Sequence, residues 1–260
     1  MKTKFTIEGY TELLKYFKKT HNYTTFSEYD QTTKESTILL RHDIDYSLKY
    51  AYEFAKIEKS LGIKSTYFLL FSTPFYNILD EENIKLAKKI TQLGHEVGLH
   101  YDVNVISKGN NKDPHSLFNA KINLLSNLIE KPITAIAMHN PSISGEDIFH
   151  ETNYVNVYDK KFIKDIDYFS DSCCAWRNNF IEHIEQNNFP KKLQLLIHPI
   201  LWSEIELDRY SKLDNFLQMK ITESSNMIDS VKELWKNHSG VIEHDLRVSK
   251  VKEETNANKT

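Results

Sequence analysis

The stretch TILLRHDIDYSLKYAYEFAKIEKSLG (37–62) decides how the rest of the chain reads. Its opening, Thr37 to Leu40, is β-branched and apolar without alternation, as a strand buried on both faces requires, and it runs into Arg41-His42-Asp43-Ile44-Asp45. From Ser47 the period changes. Leu48, Tyr52, Ala55 and Leu61 recur at roughly helical spacing, and Gly62 follows, where a left-handed residue ends a helix at little steric cost. A buried strand followed at once by a helix is half of a βαβ crossover unit.

The same alternation continues on the C-terminal side. Ser65 to Phe71 reads as a strand. Asp80 is placed to cap a helix that carries Ile84, Ala87, Ile90 and Leu93 and ends at Gly94. Glu96 to Tyr101 is the next strand. Asp113-Pro114 then reads as an N-cap and first helical residue, with Leu117, Ala120, Leu124 and Leu128 as the apolar stripe and Lys131-Pro132 as the stop. Ile133 to Met138 is another strand. Behind it, Tyr154 to Tyr158, Asp167 to Ser172 and Leu193 to His198 read as strands and Phe216 to Trp235 as a helix. Ile7 to Phe17 reads as an extra helix on the outside. The fold class is α/β with parallel strands, and the alternation fits a barrel and an open sheet equally. No linker divides the chain: 1–248 is expected to be one catalytic domain, 1–36 its helical extension, and 249–260 a polar, frayed tail.

Composition narrows the partners. The chain has 260 residues, 33 Lys+Arg against 36 Asp+Glu, and 40% hydrophobic residues, enough for a sizeable core and too apolar for a disordered chain. A net charge of -3 argues against nucleic acid as the main partner. No apolar run approaches the ~20 residues of a membrane span, and the N-terminus has no apolar core of a secretory signal. The two cysteines, Cys173 and Cys174, are adjacent, which excludes a disulfide framework and points to a reducing, cytoplasmic compartment. Nothing in the sequence sets the oligomeric state.

The chemistry sits where strands end. Charged groups are costly inside parallel strands, yet four strands finish with His or Asp: Arg41 to Asp45, His100 with Asp102, His139-Asn140-Pro141, and His198-Pro199. Taken singly, each has an ordinary explanation; Asp45 ahead of a helix reads as an N-cap. Together they mark the C-terminal mouth of the sheet, where catalysis collects in such folds. Arg41, Asp43 and Asp45 share one strand face. Two carboxylates that close need a cation to stay ionised. Arg41 can neutralise one, and a divalent metal on the other needs His ligands, for which His100 and His139 are the candidates. A mixed His/Asp set suits Zn²⁺, and also Co²⁺, Ni²⁺ or Mn²⁺, better than Ca²⁺ or Mg²⁺.

From Ile38 to Trp202 the chain resembles the polysaccharide deacetylase superfamily, the NodB-homology or carbohydrate esterase family four proteins. Gly94-His95-Glu96-Val97-Gly98-Leu99-His100 is the most specific match, and Arg41-His42-Asp43-Ile44-Asp45 is similar to the family's strand ending in two aspartates. The resemblance implies a distorted (β/α)7–8 barrel, with Asp43 as catalytic base and Asp45 and His100 as metal ligands. The family's second ligand His, four residues on, is Asn104 here, and its Arg-x-Pro motif is His139-Asn140-Pro141. The reading is a swap: His139 becomes the third ligand, and Arg41 or Arg177 takes the charge role on Asp43. Asp171 to Arg177 is similar to the fourth motif and keeps Trp176 and Arg177. Leu195 to Pro199 is similar to the last, which implies His198 as general acid, oriented by Asp171. Tyr101, Asn140, Trp176 and Arg177 are the expected substrate contacts, with Trp202 a further aromatic.

The activity so implied is metal-dependent removal of an N-acyl group, acetyl in the first instance, from an amino sugar or sugar precursor of bacterial surface polysaccharide. Three other readings stand beside it. One is metal-independent hydrolysis of a small cyclic amide or ureide, suggested by Asn104. Another is a non-catalytic carbohydrate-binding relative. The last is a Cys-nucleophile hydrolase.

Overall fold

The computed structural model describes residues 4–71, 73–107, 113–144, 147–149 and 152–257, with side chains as far as His238. In chain order the elements are α1 (Ile7–Lys18), β1 (Asn22–Thr24), β2 (Thr37–Ile44), α2 (Leu48–Ser60), β3 (Thr66–Leu70), α3 (Glu81–Gln92), β4 (Glu96–Tyr101) and α4 (Val103–Ser107). There follow α5 (Pro114–Ile129), β5 (Ala135–Met138), α6 (Pro141–Ser144), β6 (Val155–Asn156), α7 (Lys160–Ile163), β7 (Asp167–Ser170), α8 (Phe180–Gln186), β8 (Lys192–Ile197) and α9 (Arg209–Ala257).

Among the described residues all eight strands are parallel, in the order β6-β5-β4-β3-β2-β8-β7, with β1 added to β2. β6 and β7 do not pair, so the sheet is a half-barrel surrounded by helices, the α/β architecture that the resemblance implied. β2 lies at its centre and every one of its eight residues is buried. Along one edge β2 pairs first with β1, through Thr37 to Leu39, and then with β3, through Arg41 to Ile44. Its other edge runs along β8.

The helix boundaries follow from local chemistry. The Thr6 hydroxyl accepts from the Gly9 N–H at 3.0 Å and starts α1. The Ser47 hydroxyl accepts from the Tyr50 N–H at 3.4 Å and caps α2, which leaves Asp45 to the strand mouth. Asp113 caps α5 through Ser116, with Pro114 in the first turn. Gly62 and Gly94 end α2 and α3 at φ of 67° and 97°, where a side chain is strained.

Two readings need correction. The buried stripe of α5 is Phe118, Ile122, Leu125 and Ile129, one or two positions on from the expected Leu117, Ala120, Leu124 and Leu128. Both rows are apolar, and the sheet side is taken by the row that carries Phe118, which stacks on Phe149 at 4.1 Å. The N-terminal segment is also more than an outside helix. Tyr10, Leu13, Leu14 and Phe17 are buried in the main core, and β1 is a sheet strand too short for its period to show.

The chain divides into two compact units, Met1–Lys212 and Leu213–Thr260. The second is helical from Leu213 to Ala257. Residues 249–257, which read as tail, continue that helix, and 258–260 lie outside the described residues. No described helix is long and apolar enough to cross a membrane.

Candidate active site

Parallel strands put their C-terminal ends at one rim, and five of them deliver a polar residue there. β2 runs into Asp45, β4 carries His100, β5 runs into His139, β7 into Asp171 and β8 into His198. On β2 the two-residue period sends Arg41, Asp43 and Asp45 to one face and His42 to the other.

Asp45, His100 and His139 converge, each offering one ligand atom within 4.8 Å of the others. Asp45 Oδ1 lies 3.5 Å from His100 Nε2 and 3.7 Å from His139 Nε2. That oxygen is buried and accepts no hydrogen bond, an unmet demand that a cation satisfies. His100 Nδ1 donates to the Ala137 carbonyl at 2.8 Å, which directs the lone pair of Nε2 at the cluster. His139 turns Nδ1 toward Asp102 Oδ2 at 3.6 Å. The donor set and its orphaned oxygen fit a divalent metal ion. Burial alone pushes the His100 pKa down, but Asp43 and Asp45 outweigh it and raise it, so the cluster draws positive charge. Burial pushes Asp45 up, and His100 beside it brings it below its ordinary value.

Asp43 is clamped from two residues earlier on the same strand. Arg41 Nε donates to Oδ1 and Nη2 to Oδ2, both at 2.8 Å, with Arg41 wholly buried. Burial would raise the Asp43 pKa. Arg41 overcomes it, His100 adds to the effect, and the carboxyl is held well below the usual carboxylate range. Arg41 is itself fixed by Gln194 at 3.2 Å and the Tyr158 hydroxyl at 3.0 Å, and its guanidinium lies over the Phe68 ring at 5.6 Å. Phe68 pairs in register with Gly98. A Cβ on Gly98 would meet the Phe68 ring at 2.5 Å and the Ala135 carbonyl at 2.7 Å, so the second glycine of the motif is the space that Phe68 fills.

His198 is held by Asp171, which is wholly buried. Oδ1 accepts from His198 Nδ1 at 2.6 Å, and Oδ2 accepts from the His198 backbone N–H at 2.9 Å and from Trp202 Nε1 at 2.9 Å. Burial lowers the His198 pKa, but Asp171, with Asp45 and Asp43 behind it, pushes it up to about 9.

The expected substrate contacts fare differently. Tyr101 is 1% exposed, edge-on to Phe118 and Phe149, so its ring is core and cannot stack on a sugar. Trp202 is 4% exposed and serves Asp171. Trp176 is half-buried, stacked on Phe180 at 3.8 Å, and its Nε1 has no hydrogen-bond partner. Arg177 is exposed and ties its backbone N–H to Ser170, so of the two arginines it is Arg41 that holds Asp43. Asn140, at φ 47°, places Nδ2 3.0 Å from His139 Nε2. Asn104 lies in α4 with its N–H on Asp102 Oδ1 at 2.8 Å. Cys173 is exposed and Cys174 half-buried, both unpaired.

Sequence reasoning missed the far face of the sheet. Glu58 on α2, wholly buried, accepts from His42 Nε2 at 2.7 Å and from the hydroxyls of Tyr10 and Ser65. Ser65 lies 2.9 Å from His95 Nδ1, whose ring reaches the Ala55 carbonyl at 3.0 Å through Nε2. His42 stacks on Tyr67 at 4.4 Å. Gln194, a polar residue inside a Leu-rich strand, was the readable signal for the partner of Arg41.

No protein-family model matches the chain, and no curated protein matches its sequence. Similar solved structures include a CE4 family pseudoenzyme from Bacillus anthracis, at 17% identity over 73% of this chain and a TM-score of 0.42; the chain spans only 62% of that one. A polysaccharide deacetylase from Bacillus cereus is 18% identical over 72% of this chain and 88% of its own, at a TM-score of 0.44. A peptidoglycan deacetylase from Bacillus subtilis is 14% identical over 80% of this chain and 99% of its own, also at 0.44. None of these three likenesses reaches a TM-score of 0.5, and none assigns a role to a residue of this chain. A family 4 carbohydrate esterase from Bacillus anthracis is similar as well, at 15% identity over 82% of this chain and 86% of its own and a TM-score of 0.41.

Proposed function

We propose that the chain is a metal-dependent hydrolase that removes an N-acyl group, acetyl in the first instance, from an amino sugar or sugar precursor of surface polysaccharide. The observation that carries this reading is a juxtaposition. An Arg-clamped, ionised Asp43 and an Asp-held, protonated His198 flank an Asp45–His100–His139 cluster whose carboxylate oxygen lacks a partner.

Asp45, His100 and His139 would hold the ion, with Zn²⁺ the best match to the donors and Co²⁺, Ni²⁺ or Mn²⁺ as substitutes. When bound, it supplies Lewis acidity toward the amide carbonyl and acidity to water. Asp43 stays ionised at neutral pH because Arg41 pairs with it, and each of its oxygens keeps a lone pair to take a proton from the attacking water. His198 is protonated at the same pH and gives its proton to the departing nitrogen. Asp171 fixes its Nδ1–H, so Nε2 is the atom that delivers it. Acid and base are thus separated by their surroundings. The products are a carboxylic acid and a free amine on the sugar. Two unpaired thiols favour a reducing, cytoplasmic setting and a precursor as substrate.

The test is stoichiometric. Zinc-loaded protein incubated with N-acetylated amino sugars, free, nucleotide-linked and lipid-linked, should release acetate and primary amine in equal amounts. Turnover that persists after chelation and dialysis points instead to a metal-independent amide hydrolase, a reading favoured by the Asn140 amide lying on His139 Nε2.

A further inference from the structure

We propose that Tyr46 and Phe75 form the platform on which a sugar ring of the substrate lies, an inference that rests on the deacylase reading and names the binding surface of that same site. The two rings stack at 4.7 Å with 18° between their planes. Tyr46 directly follows Asp45 at the end of β2, and Phe75 comes from the loop after the neighbouring β3. The pair therefore lies on the rim, one residue from the metal-ligand cluster.

The loop that carries Phe75 is built, not incidental. The Thr73 hydroxyl accepts from the N–H groups of Phe75 at 2.9 Å and Tyr76 at 3.1 Å, and the Thr73 N–H donates to the Tyr76 carbonyl at 2.9 Å. Tyr76, buried, donates its hydroxyl to the Ile44 carbonyl at 2.7 Å. The loop is thereby bonded to the residue before Asp45, so the position of Phe75 is coupled to that of the ligand carboxylate. Yet Phe75 keeps 39% of its surface in solvent. A ring held this firmly at the mouth and left this exposed offers an electron-rich face, which attracts the polarised C–H bonds on the apolar face of a pyranose. Of the aromatics that the sequence suggested for this task, Tyr101 and Trp202 are committed to the core.

The experiment is calorimetric binding of a panel of N-acetylated hexosamines, single and β-linked, to the metal-free full chain, with kcat and KM measured on the zinc-loaded protein. The wild type should bind at least one sugar saturably. Tyr46→Ala and Phe75→Ala should weaken it about tenfold or more, and Phe75→Leu, which keeps apolar bulk and lacks the ring face, should behave like Phe75→Ala. Tyr46→Phe and Phe75→Trp should bind as the wild type does. Ile163→Ala, an exposed apolar residue in α7 ahead of β7, should change nothing. In turnover the losses should fall on KM, with metal content unaltered. The platform is overturned if no sugar binds the wild type, or if Phe75→Leu and Tyr46→Ala bind like it. Saturable binding that responds to these variants, with no acid released, would keep the platform and discard the deacylase reading.

Discussion

Arg41 and Asp43 stand two residues apart on one buried strand and meet in a fork, Nε on Oδ1 and Nη2 on Oδ2, both at 2.8 Å. The strand period makes this possible, because residues i and i+2 share a face. Bidentate geometry is what Arg offers and Lys does not. Arg41→Ala should leave a buried, unpaired carboxylate and cost about 3–5 kcal/mol in urea unfolding. Arg41→Lys should recover part of the stability and little activity, because the Gln194 and Tyr158 contacts need the same fork. Activity of Arg41→Lys close to wild type would contradict the clamp.

In the proposed mechanism His198 sets the alkaline limit. Its pKa is raised to about 9, so the acid form is complete below the unfolded value and is lost as pH rises through about 9. The stability that the Asp171–His198 pair contributes follows the same window: present at neutral pH and below, gone above about 9. Asp171→Asn removes the main upward influence. The alkaline limb of kcat/KM should then move down by at least about one pH unit, read from a full pH profile. An unmoved limb would mean that another group sets it.

Glu58 contributes to acid stability beside Asp43 and Asp45. Burial raises its pKa, but His42 and then His95 and Ser65 bring it below the ordinary carboxylate value. A depressed carboxylate stabilises the fold above its unfolded pKa and stops doing so as pH falls through the folded one. The melting temperature of the wild type should therefore drop below about pH 4.5, the unfolded range of Glu. Glu58→Gln should flatten that drop and, by leaving His42 without its anion, cost about 3 kcal/mol or more at neutral pH. Equal stability of Glu58→Gln and wild type at pH 7 would show that the network carries no weight.

Gly98 is a packing position. A methyl there overlaps the Phe68 ring on which Arg41 rests, so Gly98→Ala should destabilise by about 1–3 kcal/mol and reduce activity together. Phe68→Leu on that background makes room and should return part of both. A neutral Gly98→Ala would remove the link from the motif to the clamp.

The sequence carried the architecture because parallel βα units leave local marks. Gly62 and Gly94 ended their helices, Ser47 and Asp113 began theirs, and the run from Thr37 to Leu40 read as a buried strand. The rim residues were legible for the same reason: the chain order of strand ends lists Asp45, His100, His139 and His198 before any coordinates exist. What escaped was set by packing between distant segments. Whether α5 buries Phe118 or Leu117 depends on Phe149, and β1 is too short to show a period. His42 was given no role, and its side chain faces Glu58 on α2, sixteen residues on. Tyr101 follows His100 and so was expected as a substrate contact, while the same alternation turned it into the core.

The division of labour between two carboxylates one turn of the pleat apart is the centre of this account, and metal content separates them most directly. Wild type, Asp43→Asn and Asp45→Asn, purified together and measured by elemental analysis, should show about one zinc, about one zinc and almost none, because only Asp45 is a ligand. Asp43→Asn should still lose about 10²–10⁴ in rate, the worth of a general base. An empty Asp43→Asn beside a fully loaded Asp45→Asn would contradict the assignment and exchange the two roles.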